Sequence, residues 1–174
     1  MTSEMNHEEV CTYFKSNNYF GYHPESIVFF PQGGIPAVSY NGKIVIESEG
    51  QVSLAPGGNG AIYGEMKNRG VLQHMKTHDV KYIYLGPVDN VLLKVGDPLS
   101  LGYLVKNQFD IVSHYIMKRN PEEKVGIHVN VNGNVKICEY SEVSKEITEM
   151  RNKEGGLVYG HGARATMYVT REFI

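Results

Sequence analysis

Three glycines, Gly58, Gly60 and Gly64, spell G-x-G-x-x-x-G within the stretch LAPGGNGAIYGEM, residues 54–66. Backbone amides exposed at a helix start bind anions, and glycine lets a ligand approach the main chain closely. A tight structural turn explains the pattern equally well. No Lys-Ser or Lys-Thr follows, so this is not a Walker A loop. A dinucleotide fingerprint fits poorly, because Asp79 precedes a strand pattern instead of ending one.

Acidic side chains form a second group of candidates. Asp89 follows the apolar stretch KYIYLGPV, and a carboxylate at a strand end suits Mg²⁺, a hard ion that binds carboxylate and phosphate oxygens. An Asp-Asn turn that caps the next segment is the simpler interpretation. Glu139 and Glu142 lie close enough in sequence for paired acid–base chemistry. Alternatively, Ser141 caps a helix with an acidic first turn.

Alternating helix and strand patterns must position these candidates. Hydrophobic periodicity predicts helices at 8–20, 60–69, 71–78, 100–108 and 142–152. It predicts strands at 26–30, 81–88 and 110–118, and hairpins at 37–47 and 125–140. The first hairpin turns at Asn41-Gly42, a pair typical of a type I′ turn, which needs positive φ at both positions, and Asn132-Gly133 is the candidate turn of the second. The order predicts an α/β layered domain with a mixed sheet, in which ligands bind beyond the carboxyl ends of strands.

Composition excludes several classes of protein. The 174 residues suffice for one domain with a sizeable core. The net charge of −2, without a lysine or arginine run, argues against a nucleic-acid or membrane-surface partner. The only cysteines, Cys11 and Cys138, predict a reducing compartment with neither a disulfide framework nor a zinc site. The polar start MTSEMNHEEV resembles no targeting peptide, so a cytoplasmic location is expected.

Several short motifs follow one another in a familiar order: MTS at the start, YFG (19–21), FFPQGGIPA (29–37), KIVIE (43–47), LAPGGNGAIY (54–63), VDN (88–90), Asp97-Pro98, KVG (124–126) and EYSE (139–142). Together they resemble the eukaryotic UDP-N-acetylglucosamine pyrophosphorylases, in the type 1 UDPGP family of UDP-sugar pyrophosphorylases. The G-N-G and E-Y-S-E elements favour this branch over the UDP-glucose branch. The resemblance implies part of a nucleotidyltransferase domain, with a Rossmann-like mixed sheet and β-hairpin insertions.

The resemblance also implies a reaction. The phosphate of N-acetylglucosamine 1-phosphate attacks the α-phosphate of UTP, UDP-N-acetylglucosamine forms, and pyrophosphate leaves with Mg²⁺. Such chemistry rests mainly on positioning and charge neutralisation. The expected partners are therefore these two substrates and the nucleotide-sugar product, and the expected cofactor is Mg²⁺.

Residues of the uridine side are carried over from the resemblance position by position. Gln32 and Gly58 would contact uracil, and Pro56 and Gly57 would shape the loop. Asn59 would contact the sugar side of the nucleotide sugar. Under this interpretation the glycines let uridine lie against the backbone.

Residues of the reacting side come from the same resemblance. Asp89 would lie beside the phosphates and Mg²⁺, as the catalytic and metal-binding residue. Gly126, Glu139 and Tyr140 would line the sugar pocket, with Glu139 accepting a hydrogen bond from a sugar hydroxyl. The family's N-A-G-N reads GHGA at 160–163, so Ala163 replaces an asparagine that contacts the N-acetylated sugar. The sugar specificity is therefore left open.

The expected organisation is a partial catalytic domain over residues 1–174. The family's N-terminal glycine-rich loop, with its basic residues, and a lysine toward the carboxyl terminus have no counterpart here. This predicts a uridylyltransferase that is incomplete for catalysis. One alternative is a non-catalytic module that binds a uridine nucleotide or a partner and self-associates through exposed sheet edges. Another is an oxidoreductase that binds a nicotinamide cofactor.

Overall fold

The computed structural model describes all residues, Met1–Ile174, and they divide into two compact units, Met1–Val80 and Lys81–Ile174. Unit 1 contains three helices, α1 (His7–Ser16), α2 (Ala61–Asn68) and α3 (Val71–Thr77). Its strands are β1 (Thr2–Ser3), β2 (Pro31–Gln32), β3 (Gly34–Pro36), β4 (Ile46–Ser48), β5 (Gln51–Val52) and β6 (Leu54–Pro56). Short 3₁₀ turns occur at Asn18–Gly21 and Pro24–Ser26.

The strands of unit 1 pair two by two. β1 runs parallel to β2 and places Ser3 opposite Gln32. β3 is antiparallel to β6, and β4 is antiparallel to β5. A Cβ atom on Gly34 would lie only 2.7 Å from the Cβ of Leu54, so the approach of β3 to β6 requires a glycine at this position.

Aromatic contacts hold α1 against the chain that follows it. Phe14 packs edge-on against Phe29 and Phe20, with ring centroids 5.0 and 5.2 Å apart. Two acidic residues in the first turn of α1 and a lysine in the last favour the helix dipole. Met66 of α2 and Val71 of α3 are buried in the same unit.

Unit 2 is built on one sheet of five antiparallel strands. Its elements are β7 (Tyr82–Leu85), α4 (Pro98–Asn107), β8 (Ile111–Met117), β9 (Ile127–Val131), β10 (Asn134–Cys138), α5 (Lys145–Glu149) and β11 (His161–Thr170). The strand order is β10-β9-β11-β7, and β8 also pairs with β11. The core comprises Leu104 of α4, Ile127 of β9, and Thr166 and Val169 of β11, all almost fully buried. None of the helices in the chain has the length and apolar character that crossing a bilayer requires.

The predicted α/β class is confirmed, with parallel pairing in β1–β2 and antiparallel pairing elsewhere. The hairpin at 125–140 turns as predicted, because Asn132 and Gly133 both have positive φ, 54° and 85°. The hairpin at 37–47 also forms, with Val38 opposite Ile44. Its predicted turn type is wrong, since only Gly42 of the Asn-Gly pair has positive φ, 78°.

Several predicted bounds differ from the structure. The strand at 26–30 is wrong, because the chain leaves a 3₁₀ turn there and enters a ladder only at β2. The helix at 8–20 ends at Ser16, since positive φ at 18–20 breaks it. The helix at 142–152 shrinks to α5, whose N-cap position is Ser144 and not Ser141, and the Ser144 side chain makes no capping hydrogen bond. β11 was not predicted, because GARAT lacks the apolar alternation of a strand.

Candidate functional site

A small open cavity of about 50 Å³ lies in unit 1, where the ends of β1, β2, β3 and β6 come together. Two predicted uridine-side residues, Gln32 and Pro56, belong to its wall. The lining residues are Ser3, Glu4, Met5, Gln32, Gly33, Gly34, Leu54, Ala55 and Pro56. The β3–β6 pairing sets Gly34 opposite Pro56, so two motifs that are far apart in sequence share one wall.

Gln32 is one of the polar residues in the wall of this cavity. Its Oε1 atom is buried and has no hydrogen-bond partner in the protein. A buried amide oxygen without a partner costs about 1–3 kcal/mol, so the site favours a ligand that supplies an N–H or O–H donor. Sequence reasoning identified Gln32 only through the family resemblance.

A half-buried carboxylate, that of Glu65, fixes the residue next to Gln32. The N–H of Gly33 donates to Glu65 Oε1 at 3.0 Å, and Arg69 Nε donates to Glu65 Oε2 at 3.2 Å. The Glu65 side chain is only 16% exposed. Sequence reasoning missed Glu65: its i,i+4 spacing to Arg69 signals a helical ion pair, but not the contact with Gly33.

The glycine loop connects the cavity wall to α2. A Cβ atom on Gly57 would lie 3.3 Å from the Cβ of Ala61 and 3.5 Å from the carbonyl oxygen of Gly33, so the loop packs closely against β3. Gly58 has a φ of +80°, which a residue with a side chain rarely adopts. Asn59 is exposed in the turn that follows. No acidic side chain lies in the first turn of α2, so the partial positive charge of that helix end is not neutralised.

Three predicted sugar-side residues lie in unit 2: Gly126 precedes β9, and Glu139 and Tyr140 follow β10, whose last residue pairs with the first residue of β9. A Cβ atom on Gly126 would lie 3.5 Å from Glu139 Oε1 and 3.2 Å from the carbonyl oxygen of Cys138. The Gly126 carbonyl accepts a 2.7 Å hydrogen bond from the N–H of Ala163. The structure therefore brings Gly126, Glu139 and Ala163 together, with the exposed Tyr140 next in sequence.

The paired-carboxylate hypothesis gains no support at this strand end. Glu142 directs Oε2 to the main-chain N–H of Glu139, at 3.4 Å, which is a contact of a local turn. Glu139 is exposed and keeps its own carboxylate free of Glu142. Both acids are exposed, and the contact between them joins the Glu142 carboxylate to the main chain of Glu139 and not to its carboxylate.

Asp89 belongs to unit 2. It lies in an exposed turn after β7, and the adjacent Asn90 Oδ1 accepts from the N–H of Leu92 at 3.1 Å, as in an Asx turn. No group of three or more His, Cys, Asp or Glu side chains in the chain could hold a metal ion. Asp89 thus offers a single carboxylate, and a bound Mg²⁺ would need further oxygen ligands from elsewhere.

Residues 1–158 match the sequence profile of the UTP–glucose-1-phosphate uridylyltransferase family. The chain belongs to this family. It is 33% identical over its whole length to the human UDP-N-acetylhexosamine pyrophosphorylase-like protein 1. It is 36% identical, over 90% of its length, to UDP-N-acetylglucosamine diphosphorylase 2 of Arabidopsis thaliana.

A crystal structure confirms the fold. The chain superimposes with a TM-score of 0.91 and 35% identity on a protein of Entamoeba histolytica described as a UDP-N-acetylglucosamine pyrophosphorylase, over 99% of this chain and 43% of that one. The chain spans about a third of the length of its curated relatives, 34% of the human protein and 32% of the Arabidopsis protein.

Proposed function

We propose that this chain carries uridine- and sugar-binding elements of a uridylyltransferase that forms UDP-N-acetylglucosamine and pyrophosphate from UTP and N-acetylglucosamine 1-phosphate. Family membership supports the reaction class. The relatives whose names include N-acetylglucosamine support the sugar. The observation that carries the proposal is the buried, unpartnered Oε1 of Gln32 in the wall of the unit 1 cavity.

Uracil supplies the donor that Gln32 lacks. Its imide N–H would donate to Gln32 Oε1, and the ring would lie along the main chain of Pro56, Gly57 and Gly58. Asn59 follows this loop, on the side where the ribose and phosphates would leave the base. No acidic side chain neutralises the partial positive charge at the start of α2, so this helix end would stabilise a phosphate group placed nearby.

The residues proposed for the sugar and the reacting phosphates belong to unit 2. The carboxylate of Glu139, beside Gly126 and Tyr140, would accept from sugar hydroxyls. Asp89 would hold Mg²⁺ together with phosphate oxygens, and the ion would neutralise charge on the departing pyrophosphate. A cytoplasmic location remains a prediction that rests on the free thiols Cys11 and Cys138.

We expect residues 1–174 alone to bind nucleotide without robust turnover. The leaving pyrophosphate carries several negative charges, and one Asp with Mg²⁺ does not replace lysine and arginine donors. A non-catalytic uridine-binding role for this chain predicts the same binding. The release of pyrophosphate from UTP, measured with and without the sugar phosphate, tests the expected lack of turnover, and robust release would contradict it.

The test is isothermal titration of the 174-residue chain with UMP, UDP-N-acetylglucosamine, CMP and NAD. We expect the uridine compounds to bind and Gln32→Ala to weaken that binding about tenfold or more, in line with the loss of a buried hydrogen bond. Gln73→Ala, at an exposed glutamine of α3, is the matched control and should leave affinity unchanged. Binding of NAD without competition from UTP would instead support the oxidoreductase alternative.

A further inference from the structure

A cluster of Cys11, His7 and Thr2 in unit 1 has no role in the proposed transfer reaction. His7 and Cys11 are one turn apart on α1, and Cys11 Sγ lies 3.7 Å from His7 Nε2. The other ring nitrogen, His7 Nδ1, lies 2.7 Å from Thr2 Oγ1. Cys11 is therefore a nucleophile that contacts a base, His7, and Thr2 orients that base. We call these three residues the row; enzymes activate cysteine by the same arrangement.

The hydrogen bonds of the Thr2 hydroxyl determine which ring nitrogen of His7 carries the hydrogen. Thr2 Oγ1 also donates to the carbonyl oxygen of Phe30, at 3.3 Å. With its hydrogen on that carbonyl, Thr2 accepts from His7 Nδ1–H, and His7 Nε2 is left to accept the thiol proton. After proton transfer, the imidazolium donates to Thr2 and to the thiolate, so every polar group in the row keeps a partner.

The three side chains differ in how much of each is exposed to solvent. Thr2 is 8% exposed and is fixed between β2 and α1, whereas His7 and Cys11 are half-buried. The orienting end is thus rigid, and the thiol end remains accessible to a small reagent. The second cysteine, Cys138, is also half-buried, but no histidine hydrogen-bonds to its thiol. Cys138 therefore serves as the reference against which the reactivity of the Cys11 thiol is compared.

We propose that Cys11 is a thiol–disulfide exchange site that reacts with low-molecular-weight disulfides, with His7 as the proton acceptor. The Cys11 S–H gives its proton to His7 Nε2, and the thiolate attacks one sulfur of the disulfide. A new S–S bond forms to Cys11 while the old S–S bond breaks, and the leaving thiolate takes the proton from His7. Cys11 ends as a mixed disulfide, and half of the reagent is released as a thiol.

The experiment treats the 174-residue chain at neutral pH with oxidised glutathione, and separately with an aromatic disulfide that releases a coloured thiol. Peptide mass mapping assigns the rate at each cysteine. We expect Cys11 to react about tenfold faster than Cys138, because the thiolate is the attacking form. His7→Ala should lower the rate at Cys11 about tenfold and leave Cys138 unchanged.

The His7→Ala variant separates activation from access. Removal of the ring opens space beside the thiol, so a cysteine limited only by access would react faster in this variant. Thr2→Ser should keep the wild-type rate, whereas Thr2→Val should lower it. If circular dichroism shows that His7→Ala is unfolded, the comparison of Thr2→Ser with Thr2→Val decides. Equal rates at the two cysteines, or a variant series without effect on Cys11, would overturn the proposal.

Discussion

The charged form of the Asp97 carboxylate is stabilised by hydrogen bonds within unit 2. The Ser100 hydroxyl donates to Asp97 Oδ2 at 2.6 Å, and the Ser100 N–H donates to the same oxygen at 3.0 Å. These bonds hold the pKa of the Asp97 carboxyl below its ordinary value of 3.8. The Ser100 hydroxyl gives its hydrogen to Asp97, so it accepts from His114 Nε2 at 2.8 Å, and His114 Nδ1 accepts from Thr166 at 3.2 Å.

This network predicts a pH-dependent effect of Ser100→Ala. A carboxyl whose pKa is lower in the folded state stabilises the fold above its unfolded pKa, and this stabilisation is lost as pH falls through the folded pKa. The free energy of unfolding should therefore differ more between wild type and Ser100→Ala at neutral pH than below pH 3.8. Urea unfolding at several pH values measures the difference. Ser100→Thr keeps the hydroxyl and is the control; a difference that does not change with pH would contradict the assignment.

Individual residues were the hardest level to predict from sequence. Gln32 became a candidate only through the resemblance, and no spacing in the sequence shows that its Oε1 atom lacks a partner. The link from Glu65 to Gly33 joins residues 32 positions apart, which no local pattern encodes. Asp97 precedes Pro98 and caps α4, which is a sequence signature of a helix start, although the helix was predicted only from residue 100.

At the scale of elements, the start of α2 gives a matched pair of glycine substitutions. Gly58 has a φ of +80°, whereas Gly60 has a helical φ of −65°, and a Cβ atom would meet nothing within 4 Å at either position. Gly58→Ala should lower the free energy of unfolding by about 1–2 kcal/mol through backbone strain alone. Gly60→Ala should raise it by about 0.4–1 kcal/mol, because alanine restricts the unfolded chain.

Chemical denaturation of both variants measures these two effects. Because neither new methyl group makes a contact, an equal effect at the two positions would show that φ does not determine the requirement for glycine in this loop. Uridine affinity gives a second measurement: only Gly58 was predicted to contact uracil, so Gly58→Ala should weaken binding more than Gly60→Ala.

Turn chemistry explains which hairpin could be predicted in detail. Asn132 and Gly133 connect β9 and β10 as a two-residue loop, so both must adopt positive φ. In the first hairpin the N–H of Ser39 donates to the carbonyl oxygen of Lys43, so the loop has three residues and only its last one, Gly42, needs positive φ. The same dipeptide therefore signals a hairpin reliably, but the ladder beside it sets the turn type.

At the scale of the whole molecule, the sequence motifs predicted the family and the α/β class, but not the central strand of unit 2. β11 pairs with β7, β8 and β9, so its residues are held by neighbours on both sides and need no strong strand propensity. The chain spans about a third of the length of its curated relatives. The proposed transfer reaction therefore draws on more helices and strands than residues 1–174 contain.

The edge of the unit 2 sheet predicts self-association of the 174-residue chain. β10 ends the strand order, and its Val135 and Ile137 side chains are 72% and 41% exposed on one face. An edge strand with unpaired main-chain groups and an apolar face is a template for pairing with a second copy. We expect sedimentation velocity to show dimers or larger species that increase with protein concentration. Val135→Lys should suppress them, because a charged residue disfavours pairing at an edge, whereas Val88→Lys, in an exposed turn of the same unit, should not. A monomer at every concentration, or an equal effect of the two lysines, would show that the β10 edge does not drive association.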